Sequence, residues 1–151
     1  NDPDGGAYDE PTALADAICA AAGASGIGLT LLPVLYQTSG FGGAAALPAQ
    51  RRFVLDDDRY ARLVETLARR HRDDRQIRIG IAPHSLRAVD APELAALLAQ
   101  WTTGPVHIHA AEQTREIANP ATVDFVVTLV DANACLIHAT GGRRRFPIVG
   151  K

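Results

Sequence analysis

Four times along this chain an amphipathic stretch is followed by a short, almost wholly apolar one. No other feature restricts the fold as much. Apolar runs of this kind suit strands buried on both faces. Strands that alternate with helices imply a parallel sheet with helical crossovers. The spacing predicts a first helix over residues 11–23, with Pro11 in its first turn and Leu14, Ile18 and Ala21 on one face; Gly23 and Gly26 end it. A strand over 27–34 and a long loop from Tyr36 to about Asp57 follow. The second helix carries Tyr60, Leu63, Val64 and Leu67 on its inner face. Asp56, Asp57 and Asp58 read as its cap and first-turn charges. The next strand covers 77–82. In the third helix Asp90 is the N-cap, Pro92 lies in the first turn, and Glu93 holds the capping-box position. Leu94, Leu97, Leu98 and Trp101 face inward. A strand over 105–109, a helix opened by Asn119 and Pro120 with Val123, Val126, Val127 and Val130 inward, and a strand over 134–138 complete the pattern.

Parallel α/β sheets place their sites at the carboxyl ends of the strands. Tyr36, His84, His109 and His138 all fall at such ends. The segment Pro105-Val-His-Ile-His-Ala-Ala-Glu-Gln113 delivers His109 to a strand end and Glu112 to the turn beyond. A neutral imidazole is a common zinc ligand, and a nearby carboxylate is a usual proton shuttle. Arg87, three residues past His84, is placed to reach a carboxylate above the rim. His107 is expected to face the other side of its strand and to be structural. His71, in a basic helix end, is expected to face solvent. Gln50-Arg-Arg52 receives no role.

At 151 residues, with 47% hydrophobic and 21% charged residues, the chain has the size and composition of one globular domain. A net charge of −2 gives no strong field toward nucleic acid or an anionic membrane. The clusters Arg69-Arg70-His71-Arg72 and Arg143-Arg144-Arg145 read as solvated helix ends or loops. Cys19 and Cys135 sit in apolar periodic segments, which suits buried free thiols in a reducing compartment. No apolar run nears the roughly 20 residues of a membrane span, and no signal peptide is visible, so a cytoplasmic location is expected.

Several motifs together resemble the formimidoylglutamate deiminases of the amidohydrolase superfamily. They are Gly28-Leu-Thr-Leu-Leu-Pro-Val-Leu-Tyr36, Ser39-Gly-Phe-Gly-Gly43, Gln50-Arg-Arg-Phe53, Ala82-Pro-His-Ser-Leu-Arg-Ala-Val89, His107-Ile-His-Ala-Ala-Glu-Gln-Thr-Arg-Glu116 and Leu136-Ile-His-Ala-Thr140. The match runs from about Asp2 to Ile117 and resumes near Asp124. The resemblance implies a metal-dependent (β/α)₈ barrel acting in histidine degradation. The reaction would be hydrolysis of N-formimidoyl-L-glutamate to N-formyl-L-glutamate and ammonia. His109 would be a zinc ligand. Glu112 would carry protons between water and the leaving nitrogen, and His138 would assist the attack or polarise the imine. Tyr36, His84 and Arg87 would hold the substrate, a small dicarboxylate. One zinc ion and a homodimer are implied, with no nucleic-acid or membrane partner.

The family's His-x-His metal pair on the first barrel strand and its aspartate on the eighth have no counterpart here. The chain therefore resembles a central excerpt: about four βα units, half a barrel, in one domain over 1–151. An open half barrel leaves its outer strands unpaired and their apolar residues uncovered. Two other readings remain. One is a nucleobase deaminase of the same superfamily, which would not require Arg87 and Tyr36. The other is a non-catalytic α/β fragment that works only as an interaction module or folding intermediate. For the fold, an open four-stranded sheet is the alternative to the half barrel.

Overall fold

The computed structural model describes residues 1–110 and the backbone of Cys135–Ile137. Helices and short parallel strands alternate as expected. The order is α1 (Ala13–Ser25), β1 (Leu29–Leu31), β2 (Val34–Leu35), a 3₁₀ helix (Pro48–Phe53), α2 (Asp57–Arg70), β3 (Ile77–Ile79), β4 (Ala82–Pro83), α3 (Ala91–Gln100), β5 (His107–His109) and β6 (Cys135–Ile137). The helix expected from Asn119 lies outside the described residues.

The sheet is built from parallel pairs of short strands. β1 pairs with β3, β2 with β4 and β5 with β6, all parallel. Backbone bonds join these pairs through the segment 77–84. On one side Gly80 N–H donates to the Leu31 carbonyl at 2.9 Å, Ala82 N–H to Pro33 at 2.9 Å, and His84 N–H to Leu35 at 3.0 Å. On the other, Ile81 N–H donates to Pro105 and His107 N–H to Ile81, both at 2.9 Å. The segment 77–84 therefore lies between 29–35 and 105–109. The two strands expected over 27–34 and 77–82 are each interrupted. Pro33 has no N–H to give the ladder, and at Gly80 a Cβ would sit 2.4 Å from the Pro105 carbonyl oxygen.

The helices bury the faces their periodicity marks, with one exception. Tyr60, Val64 and Leu67 of α2 and Leu94 of α3 are buried. They join Leu35, Ile81, Val89 and Ile108 in one core cluster and Cys19, Ile77 and Ile79 in a second. Leu97, Leu98 and Trp101 pack partly buried against the first cluster, and Trp101 also touches the second. Asp56 caps α2 by accepting from Arg59 N–H at 2.8 Å, and Asp90 caps α3 by accepting from Glu93 N–H at 3.1 Å. The exception is α1. Its covered side is Cys19 and Ala22, whereas Leu14 and Ile18 are 56% and 49% exposed and Ala21 is exposed too. The apolar stripe exists, but among the described residues nothing lies over it. Gly26 alone caps α1, in the left-handed conformation with φ 72°.

Leu14 and Ile18 open onto a groove of about 370 Å³ shared with Leu31, Val34 and Leu63. It runs along the outer edge of β1 and β2, which has no strand partner among the described residues. Burial raises the pKa of the free Cys19 thiol, as expected for an inert core cysteine. The Cys135 side chain lies outside the described residues. No helix among those described is long and apolar enough to cross a membrane.

Candidate active site

Three strand ends bring three aromatic side chains into one row. Tyr36 follows β2, His84 follows β4 and His109 ends β5. The Tyr36 and His84 rings stand edge to face with centroids 5.0 Å apart, and His84 and His109 are 5.2 Å apart at 45°. The row is held by backbone. His84 N–H donates to Leu35, and His109 N–H donates to the His84 carbonyl at 3.0 Å. Adjacent parallel strands thus carry the rings at matching heights. His84 Nδ1 lies 3.1 Å from the hydroxyl of Ser85, a fully buried residue.

Arg87 is half-buried in the turn from Ser85 to Val89. That turn closes with Ala88 and Val89 N–H groups donating to the Ser85 carbonyl, both at 3.0 Å. It is tied to the strand end beside it. Gln37 and Thr38 N–H groups donate to the Ala88 carbonyl, and the Thr38 hydroxyl donates to the Arg87 carbonyl at 2.8 Å. Tyr36, His84, Arg87 and His109 therefore occupy one rim. Glu112 and His138 lie outside the described residues.

Two expectations are corrected. His107 does not face away from His109. Side chains repeat every two residues along a strand, so 107 and 109 share a face and Ile108 takes the other. Ile108 is 2% exposed, in the core. His107 and His109 line one small cavity of about 50 Å³ with Ala82, Pro83 and His84. Burial lowers the pKa of the His107 imidazole, favouring its neutral form. His71 is not turned to solvent either. Its side chain is 12% exposed, with Nδ1 3.4 Å from Asp74. It caps the end of α2 through its own N–H to the Leu67 carbonyl, so the ring lies back against the fold. Arg70 in the same basic cluster pairs with Asp16.

The loop expected between Tyr36 and Asp57 contains structure. The 3₁₀ helix Pro48–Phe53 lies against Tyr36. Gln50 Nε2 donates to the Tyr36 hydroxyl at 2.8 Å, and Phe53 meets the Tyr36 ring at 6.5 Å. Gln50 thus joins the site. Its only sequence signal was membership of a motif with no assigned role.

Imidazoles at a strand end are suitable metal donors. Among the described residues, however, no group of three or more His, Cys, Asp or Glu side chains is placed to hold a metal ion. The described residues thus supply no complete set of ligands.

No family model matches this chain. It is 41% identical to formimidoylglutamate deiminase of Pseudomonas aeruginosa, over 93% of this chain and 33% of that protein. Among solved structures, an amidohydrolase from Brucella melitensis superimposes with a TM-score of 0.77 at 45% identity, covering 94% of this chain and 34% of that one. A zinc-bound adenosine deaminase from Xanthomonas campestris matches more distantly, at 22% identity and a TM-score of 0.49 over 81% of this chain and 27% of its own. That likeness is too slight to bear on function. The chain spans about a third of the length of the relatives it matches. Over that third, it resembles formimidoylglutamate deiminase in sequence and an amidohydrolase in fold.

Proposed function

We propose that this chain is the central part of a hydrolytic deiminase that converts N-formimidoyl-L-glutamate to N-formyl-L-glutamate and ammonia. The observation that carries the reading is the shared rim of Tyr36, His84, Arg87 and His109. It stands within a sequence 41% identical to a deiminase of that name. In this reading the four βα units are half of a (β/α)₈ barrel. The edge of β1, which has no strand partner on that side among the described residues, and the groove beside Leu14 and Ile18 support that view. A parallel sheet of this kind is covered on both faces when complete.

The residues divide the work by chemistry. Arg87 supplies a planar fork for a substrate carboxylate. Tyr36 offers a phenol on the same rim, and the His84 ring lies between those of Tyr36 and His109. Glu112, which follows His109 by three residues, moves a proton from the attacking water to the leaving nitrogen. His138 holds that water or polarises the imine. A zinc ion, when bound, would activate water for attack, and His109 is the residue of this chain that would help hold it. The reaction takes place in the cytoplasm, in the breakdown of histidine, and the complete protein is a homodimer.

The test is ammonia release from N-formimidoyl-L-glutamate by the complete polypeptide that carries this sequence. Release that saturates with substrate is expected. No release from metal-loaded protein, together with release from a nucleobase, would replace this reading with the nucleobase deaminase.

A further inference from the structure

The Gln50 side chain is used at both ends. Its Oε1 accepts from Leu47 N–H at 2.8 Å, and its Nε2 donates to the Tyr36 hydroxyl at 2.8 Å. The first bond fixes the second. A backbone N–H is only a donor, so the amide oxygen must face Leu47 and the NH₂ group must face the phenol. The phenol oxygen therefore accepts, and its own proton has to point elsewhere. Among the described residues nothing accepts that proton. Tyr36 is half-buried, with its ring wedged between Phe53 and His84, so the hydroxyl has little freedom to find a different arrangement.

We propose that Gln50 is a positioning residue that fixes Tyr36 as a hydrogen-bond donor toward the ligand. This corner of the site then selects an acceptor, and a carboxylate oxygen is the strongest one available in a small metabolite. The donor polarity follows from the amide geometry. The choice of a carboxylate rests on the deiminase reading above. Gln50 touches no reacting atom in this scheme and acts only through Tyr36.

The polarity can be reversed without changing shape. In Gln50→Glu, one carboxylate oxygen still accepts from Leu47 N–H. The other has no proton to give and takes the one Tyr36 carries. The phenol then shows the ligand a lone pair instead of a proton. In the complete polypeptide, Gln50→Glu and Tyr36→Phe should each raise KM for N-formimidoyl-L-glutamate about tenfold, the order expected for one hydrogen bond to a charged group. The effect on kcat should be smaller and the melting temperature unchanged. The double variant should be no worse than either single one, because both remove the same donated bond. Simple repulsion between a new glutamate and the substrate would instead add to the loss from Tyr36→Phe. An additive double variant, or an unchanged KM in Gln50→Glu, overturns the proposal. If the wild-type protein does not turn over formimidoylglutamate, the deiminase reading fails. The same variants are then titrated calorimetrically with L-glutamate. Equal weakening in both supports the donor role, and absence of binding to the wild type overturns it.

Discussion

Gly104 packs against the Ile79 carbonyl so closely that an added Cβ would sit 2.1 Å from that oxygen and 3.0 Å from the Trp101 ring. The approach occurs where the turn after α3 enters the third strand of the sheet. Trp101 Nε1 donates to the Gly104 carbonyl at 3.0 Å, which pins the glycine from the other side. Backbone cannot move away as a flexible side chain can. Gly104→Ala should therefore destabilise the fold by about 3 kcal/mol, the upper end of typical overpacking costs. Gly23 gives the contrast. It lies inside α1, and a Cβ there meets nothing within 4 Å. Gly23→Ala should stabilise by about 0.5–1 kcal/mol through the lower entropy of the unfolded chain. Urea midpoints at unchanged slope measure both. A neutral Gly104→Ala would show that this approach is relaxed in solution.

Tyr60 is buried to 1% exposure, and its hydroxyl donates to the Pro33 carbonyl at 2.9 Å. Burial raises the pKa of the phenol strongly, so it stays protonated. The same carbonyl also accepts from Ala82 N–H. Tyr60→Phe therefore costs one of two bonds rather than leaving the acceptor bare. The expected loss is about 1 kcal/mol, read as a lower urea midpoint with the site rim unchanged. A loss above about 3 kcal/mol would mean that the hydroxyl holds the break between β1 and β2 in place.

The periodicity of α2 and α3 shows which residues they bury, because a covered helix face leaves a clean mark in the sequence. The alternation of elements likewise gives the parallel pairing and the side-by-side order. What the sequence hides has physical causes. Leu14 and Ile18 form a real stripe, but a stripe does not say whether anything covers it. His71 stands among charges and yet folds back against the body, because its backbone caps α2 and Asp74 holds its ring. His107 needed only the two-residue pleat to be placed beside His109. Gln50 could not be placed that way. Its contact with Tyr36 depends on how a glycine-rich loop folds back, and no local period encodes that. Glu112 and His138, read from their places at or just past strand ends and from the resemblance, lie outside the described residues.

The pairing of Asp16 with Arg70 ties α1 to the end of α2. The Arg70 guanidinium and then the Thr12 hydroxyl hold the Asp16 carboxyl below its ordinary range. A carboxylate with a depressed folded pKa contributes its stability above the unfolded value. That contribution fades as pH falls through the ordinary carboxylate range toward the lower folded value. Both side chains keep more than a third of their surface in solvent, so the effect is modest and weakens with salt. Asp16→Asn should flatten the acid limb of a stability–pH curve while changing little at neutral pH and high salt. An unchanged acid limb would mean that the pair forms no linkage in solution.

In the deiminase reading proposed above, Arg87 holds a substrate carboxylate. It sits in the turn after β4, whose backbone is fixed by Thr38 on one side and by the Ser85 carbonyl on the other. From that turn the arginine carries a planar, two-pronged donor. That favours a bidentate carboxylate contact over a diffuse electrostatic one. Lysine would keep the charge and lose the fork. In the complete polypeptide, Arg87→Lys should lower kcat/KM for N-formimidoyl-L-glutamate by about tenfold or more, since 1.4 kcal/mol is one decade and losing half of a charged contact reaches that value. Metal content should not change, because arginine is not a ligand. The comparison substrate is the analogue lacking the α-carboxylate. If Arg87 holds that carboxylate, the analogue is already poor and loses little further on substitution. An equal loss on both substrates would assign Arg87 to holding its own turn, and the carboxylate would have to be held elsewhere on the rim.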